Sequence, residues 1–138
     1  MAMRLNPYIN FRDQARDALQ FYHQVLGGDM TMTTFAEGGM AQDPAEGEKI
    51  MHGQIDTPDG FTLMVSDTPP GMPLAQDGNI AISLSGDDEP DLRRYWDGLA
   101  DGGQVALPLE KAPWGDTFGM VRDRFGINWM VNILGRGH

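Results

Sequence analysis

The sequence predicts an α+β fold built from two βαβββ modules, and three observations carry that prediction. Strand-like alternation is interrupted twice by an apolar stripe of helical period, at about Asp13 to Leu26 and about Asp88 to Ala100. Each stripe closes on a glycine pair; Gly28 follows Tyr22, and Gly102 follows Trp96, by six residues. One strand-like stretch precedes each helix and three follow it. The expected architecture is a single domain spanning 1–138, with module 1 at about 4–67, a connector at 68–78 and module 2 at about 79–134. The modules are expected to form a curved, partly closed mixed sheet with helices on the outside. Two copies make an internal repeat, though not a stacked array.

The first strand, Arg4 to Phe11, alternates Leu5, Pro7, Ile9 and Phe11 with Asn6, Tyr8 and Asn10. Pro7 suits an edge strand or a strand's first residues, because it has no amide proton for a central ladder. The first helix carries Ala15, Ala18, Leu19, Tyr22 and Leu26 on one side. Asp29 to Ala36 reads as a strand, and 37–48, rich in Gly, Asp and Glu, as a mobile loop or lid. Ile50 to Thr57 and Phe61 to Asp67 form a hairpin around Pro58-Asp59-Gly60. His52 and Gln54 share one face of it; Thr62, Met64 and Ser66 share a face on the next strand.

After the proline-rich connector the pattern restarts with Asn79 to Ser85, where Ile80, Ile82 and Leu84 oppose Asn79, Ala81, Ser83 and Ser85. The second helix is expected to bury Leu92, Tyr95, Trp96 and Leu99, with Asp87 or Asp88 as cap and Pro90 in the first turn. Strands at Gln104 to Leu109, Thr117 to Asp123 and Ile127 to Leu134 complete the module. In the last, Ile127, Trp129, Val131 and Ile133 are core, opposite Asn128, Met130 and Asn132.

The chain carries 10 Lys+Arg against 20 Asp+Glu, a formal charge of -10. That balance argues against nucleic acid and anionic membrane partners, which need a cationic footprint. With no cysteine, disulfides and thiolate-held metals are excluded. The opening MAMRLNPYIN has no apolar signal core, and no stretch approaches the ~20 apolar residues of a membrane span. A cytoplasmic protein is expected.

A helix on one face of each sheet leaves the other face to be occupied. The strands place there Asn6, Tyr8, Asn10, His52, Gln54, Thr62, Met64, Ser66, Asn79, Ser83, Asn128, Met130 and Asn132, polar but almost uncharged. Burying such groups without partners costs about 1–3 kcal/mol each, so water or a polar ligand is expected in a trough they line.

The pattern resembles the vicinal oxygen chelate superfamily (glyoxalases, bleomycin-resistance proteins and extradiol dioxygenases), and within it the PhnB-like branch. The resemblance rests on Asn6-Pro7-Tyr8, Ala18 to Tyr22 with Gly27-Gly28, LMVSDTP from Leu63, Gly78 to Ser83, and WGDTFGMVRDRFGINWMVN from Trp114. It covers about residues 4 to 134. Members of this branch often carry the name 3-demethylubiquinone 3-methyltransferase, but no glycine-rich loop of the nucleotide-cofactor type is present. The resemblance implies homodimers. It also implies that the metal positions of metal-dependent members fall on Asn6, Met64, Asn79 and Met130. None of these is His, Asp, Glu or Cys, and thioethers are too soft for Mg, Mn or Fe(II). No cofactor is therefore expected, with a divalent metal as the disfavoured alternative; a conventional two-His site would need both His23 and His52, since His138 ends the sequence.

His52 is the leading chemical candidate, as general acid, base or ligand donor, because an imidazole changes charge near neutrality. The bland alternative is a strand histidine bonded to its neighbour. Asp67 is a candidate to orient His52 or anchor a ligand, with turn chemistry as its alternative. The expected ligand-binding set is Asn6, Tyr8, His52, Gln54, Met64, Asn79, Trp114, Phe118, Asn128, Met130 and Asn132. Trp114 and Phe118 would wall the trough mouth, or else serve as core or dimer contacts. Two functions remain open: a metal-free module that binds a small, partly polar molecule, and a lyase, isomerase or transferase using His52 with Asp67 or an unusually held metal. A weaker third is action by dimerisation alone.

Overall fold

A computed structural model describes residues 6–39, 47–68 and 80–135. The chain divides into two compact units, Met1–Asp77 and Gly78–His138. The first contains β1 (Tyr8–Phe11), α1 (Ala15–Leu26), β2 (Asp29–Thr34), β3 (Ile50–Asp56) and β4 (Thr62–Asp67). The second contains β5 (Ile82–Gly86), α2 (Glu89–Ala100), β6 (Gln104–Lys111), β7 (Thr117–Arg122) and β8 (Asn128–Ile133). Each unit is thus βαβββ, and each forms its own four-stranded mixed sheet, ordered β1-β4-β3-β2 and β5-β8-β7-β6. In both, the first strand pairs parallel to the last while the other neighbours run antiparallel. Pro7 accordingly sits just before an edge strand, and its carbonyl accepts from the Met64 amide at 3.1 Å.

The helices pack on one face of their sheets by the stripes read from the sequence. Ala15, Ala18, Leu19, Tyr22 and Leu26 are buried on α1, joined by Phe21; Leu92, Tyr95, Trp96 and Leu99 are buried on α2. Close approach requires a glycine beneath each helix. A Cβ at Gly53 would lie 2.7 Å from Leu19 Cδ2, and one at Gly119 would lie 2.7 Å from Trp96 Cη2. Beneath them Ile55, Leu63, Val65, Val121, Trp129 and Val131 complete the two cores.

The hairpins at the ends of the sheets repeat each other. Thr57 N–H donates to Phe61 O at 3.0 Å and Gly60 N–H to Thr57 O at 3.0 Å; Asp123 with Ile127, and Gly126 with Asp123, do the same at 2.9 Å. Gly60 and Gly126 both adopt positive φ, 93° and 85°, which a Cβ would penalise. Side chains reinforce the two turns unequally. Thr57 Oγ1 accepts one amide, from Phe61 at 3.1 Å. The buried Asp123 accepts three donors, Phe125 N–H at 2.8 Å, Ile127 N–H at 3.1 Å and Trp129 Nε1–H at 2.9 Å.

Helix caps follow chemistry only partly local. Asp88 caps α2, its Oδ1 accepting the Asp91 amide at 3.1 Å, with Pro90 in the first turn. Gln14, at the start of α1, makes no side-chain cap bond. Asp67 replaces it from the end of β4: Oδ1 accepts Ala15 N–H at 3.0 Å and Oδ2 accepts Ile50 N–H at 2.9 Å. An N-terminal amide is one of the orphan donors a helix must satisfy, and here a residue 52 positions away does so.

Several expected boundaries move. β2 ends at Thr34 rather than Ala36 because Thr34 and Glu37 close a reciprocal box: Thr34 N–H donates to Glu37 Oε1 at 2.9 Å and Glu37 N–H to Thr34 Oγ1 at 3.1 Å. The Thr34 amide, then its hydroxyl, hold the Glu37 carboxyl below its ordinary value of 4.5. Of the expected lid at 37–48, residues 40–46 lie outside the described residues, as does most of the connector. β5 starts at Ile82, and Ile80, expected on its apolar side, is 80% exposed. In β3 the register with β2 shifts so that Thr33 faces His52 and Thr34 faces Ile50, leaving Met51 as the extra residue of a bulge. Ser66 Oγ donates to the Met51 carbonyl at 2.9 Å. β6, at the edge of its sheet, carries two such shifts, and Val105 and Leu107 on it are about half exposed.

Candidate functional site

Opposite α1, the strand pairing sets Tyr8, Met64, Gln54 and Thr31 in one row across β1, β4, β3 and β2. The next row holds Asn10 beside Ser66 and His52 beside Thr33. Alternation along β3 brings His52, Gln54 and Asp56 to the same face. They form a continuous hydrogen-bonded chain. Tyr8 Oη lies 3.5 Å from His52 Nδ1, with ring centroids 5.8 Å apart. His52 Nε2 lies 3.2 Å from Gln54 Oε1, Gln54 Nε2 donates to Asp56 Oδ2 at 2.8 Å, and Thr62 Oγ1 donates to Asp56 Oδ1 at 2.9 Å. Met64, His52 and Gln54 are half-buried, and Tyr8 is 48% exposed. Tyr8, His52, Gln54 and Met64 thus come together as the sequence pattern predicts; Asn6 precedes the strand and is half-buried.

Asp67 does not join them. Both its carboxylate oxygens are engaged by backbone amides at the start of α1 and β3, and it is 2% exposed. The expected orienting role toward His52 falls instead to Gln54, because period-two alternation puts residue 54 beside residue 52 and sends residue 67 to the helix side. Asp56 was legible from the same alternation, in M-H-G-Q-I-D, but an acidic residue near a turn reads first as solvated surface. His23 also stands apart: its Nε2–H donates to the Gly28 carbonyl at 2.9 Å beyond the end of α1.

The second unit gathers the other candidates. Met130 pairs with Ser83 and Met120, and Asn132 with Ser85 and Phe118, opposite α2. Asn132 Nδ2 donates to the buried Asp116 at 3.0 Å, whose other oxygen accepts Gly135 N–H at 2.9 Å. Trp114, 57% exposed, meets Phe118 edge to face, with centroids 5.6 Å apart. Asn128 stands opposite Arg122 at the turn end. Asn79 lies outside the described residues.

The side chains at the positions that the resemblance assigns to metal ligands do not suit a hard divalent ion. Met64 and Met130 offer thioethers and Asn6 a neutral amide, where Mg, Mn or Fe(II) needs carboxylate or imidazole. Among the described residues no three His, Cys, Asp or Glu side chains gather as a metal would require. His23 and His52 serve different faces of the first sheet, one at the helix end and one opposite the helix.

Comparison with known proteins places the fold. The chain is 38% identical to protein PA1353 from Pseudomonas aeruginosa, whose crystal structure superposes with a TM-score of 0.82 over 96% of this chain and 98% of that one. It is 28% identical to Protein YjdN of Escherichia coli, over 96% of each chain. The putative 3-demethylubiquinone-9 3-methyltransferase, PhnB protein, from Bacillus cereus shares the fold at 17% identity, with a TM-score of 0.73 over 96% of this chain and 100% of that one. Residues 4–131 match the model of one family across both βαβββ units, and the chain belongs to the Glyoxalase/Bleomycin resistance protein/Dioxygenase superfamily.

Proposed function

We propose that this protein is a PhnB-like member of the superfamily that binds a small, partly polar molecule without a metal, on the face of β1, β4 and β3 opposite α1. The observation that carries this reading is the Tyr8–His52–Gln54–Asp56–Thr62 chain. It is an ordered polar array on the sheet face opposite α1, beside the half-buried thioether of Met64. Uncharged donors and acceptors with an adaptable Met suit a ligand having both polar and apolar parts. Asn6 is proposed to extend this set, and Asn128, Met130, Asn132, Trp114 and Phe118 are proposed as a separate contact face on the second unit; the expected contact Asn79 lies outside the described residues. A cytoplasmic homodimer without cofactor is part of the same proposal. Among the described residues, no helix is long and apolar enough to cross a membrane.

One observation favours a second reading, an acid–base enzyme of lyase, isomerase or transferase type. Tyr8 Oη faces His52 Nδ1 across 3.5 Å, a pair that would pass a proton only if a bound substrate drew the two together, and Asp67 is excluded from it by its backbone bonds. The methyltransferase name of the Bacillus cereus protein finds no cofactor loop here.

The test is metal content of protein purified without chelator or affinity tag, with calorimetric titration of Ni²⁺, Zn²⁺, Mn²⁺ and Fe²⁺, then a thermal-shift screen of small molecules. The expected result is no stoichiometric metal and hits abolished by His52→Ala. Near-stoichiometric metal lost on His52→Ala would overturn the metal-free reading.

A further inference from the structure

We propose that Asp56 and Gln54 are positioning residues that lock neutral His52 in the form protonated at Nε2, so that the ring meets a ligand through its Nδ1 lone pair. The lock follows from what each group can donate. An ionised carboxylate such as that of Asp56 only accepts, so the two side chains bonded to its oxygens must donate: the Thr62 hydroxyl to Oδ1 and the Gln54 amide nitrogen to Oδ2. That commits the Gln54 nitrogen and turns its oxygen toward His52 Nε2 at 3.2 Å. An amide oxygen cannot donate, so Nε2 must carry the hydrogen and Nδ1 the lone pair. The carboxylate thereby sets the ring's tautomer from two side chains away.

The far end of the chain is its weak link. Tyr8 Oη approaches Nδ1 at 3.5 Å, longer than every other bond in the series and beyond the usual O–H donor range. With Tyr8 48% exposed, a ligand donor can displace its hydroxyl from the lone pair. The class selected is a molecule presenting a neutral hydroxyl or a protonated amine. A carboxylate has no proton to offer Nδ1, and the charge of Asp56 opposes it. This preference rests on the reading of this face as a ligand site; the lock itself does not.

The test is a long-range ¹⁵N–¹H spectrum of the His52 ring in unliganded protein, at a pH where the ring is neutral. A pyrrole-type shift is expected at Nε2 and a pyridine-type shift at Nδ1. Asp56→Ala and Gln54→Leu, each checked for native fold by circular dichroism, are expected to lower that preference several-fold. Asp56→Asn, whose NH₂ must face either Gln54 or Thr62, is expected to retain it only in part. A wild-type ring protonated at Nδ1, or variants with an unchanged ring, would overturn the lock whatever the ligand proves to be. Benzylamine and benzoate then serve as a matched pair of probes. The amine is expected to move the His52 nitrogens more, and benzoate equalling it, in shift or in silence, would overturn the donor preference.

Discussion

The two units share a backbone plan and differ in what they hang on it. Facing the helices they are nearly interchangeable: Gly53 and Gly119 lie under a large side chain, and the two hairpins close with the same pair of backbone bonds. On the opposite face, register sets Tyr8, Met64 and Gln54 in the first unit against Ser83, Met130 and Met120 in the second. His52 similarly answers to Phe118, since each sits one residue before the buried glycine. One face is a relay of donors and acceptors around a single thioether; the other sets two thioethers and an aromatic ring among Ser83, Asn128 and Asn132. Packing against a helix constrains the inner positions tightly, because a close-packed core registers a single methylene. The outer positions are not held by helix packing, and it is there that the two units differ.

Stability measurements test this contrast, beginning with the polar anchors. Asp123→Ala strands two amides and the Trp129 indole N–H, a loss of roughly 3 kcal/mol. Asp67→Ala strands two buried amides and uncaps α1, for roughly 3 kcal/mol as well. Asp67→Asn should recover only part of that, because its NH₂ must face one of the two donors. Denaturant titration checks all three, and losses below about 1 kcal/mol would show the anchors to be incidental. Next come the glycines. Gly119→Ala drives a methyl against Trp96 and the Leu109 backbone, whereas Gly53→Ala meets the flexible end of Leu19 and Val65. Both should destabilise, by about 1–3 kcal/mol, with Gly119→Ala the worse because backbone yields least.

Thr57→Ala, at the turn position matching Asp123, gives up one bond at a half-buried site and should cost only about 1 kcal/mol. A cost equal to that of Asp123→Ala would deny the inequality of the two turns. The smallest effect concerns Glu37, whose carboxyl is held low by Thr34. A folded-state value below the unfolded one adds stability above the unfolded pKa and loses it as pH falls through the folded value. In an NMR titration Glu37 should therefore protonate below 4.5, and Thr34→Ala should return it toward that value.

How much of this the sequence disclosed depended on the range of the interaction. Helix stripes are short-range and periodic, and every apolar residue assigned to the helix faces is buried. The pairing of His52 with Gln54 followed from strand alternation alone. The Met51 bulge did not, because the run from Ile50 to Asp56 shows no break that would mark an extra residue. Asp67 is not legible as a helix cap because its partners lie 52 and 17 residues away, and nothing in SDTPP distinguishes a distant cap from a turn. Asp116 and Asp123 escaped notice because, in a chain of 20 acidic residues, two more beside turns look like solvent-facing charge. The candidate site was readable as a set of residues, but not as a directed chain.

The bulged edge strand β6 has a bearing on solubility. An open edge invites another strand to add, and half-exposed Val105 and Leu107 would make such growth stickier. Two register shifts within eight residues deny an incoming strand any uninterrupted run of partners, and Pro108 withholds one of the amides it would need. The irregularity of this strand is a safeguard against amyloid-like stacking. Straightening it by deleting a bulge residue and replacing Pro108 with Val should yield a chain that aggregates from its folded state.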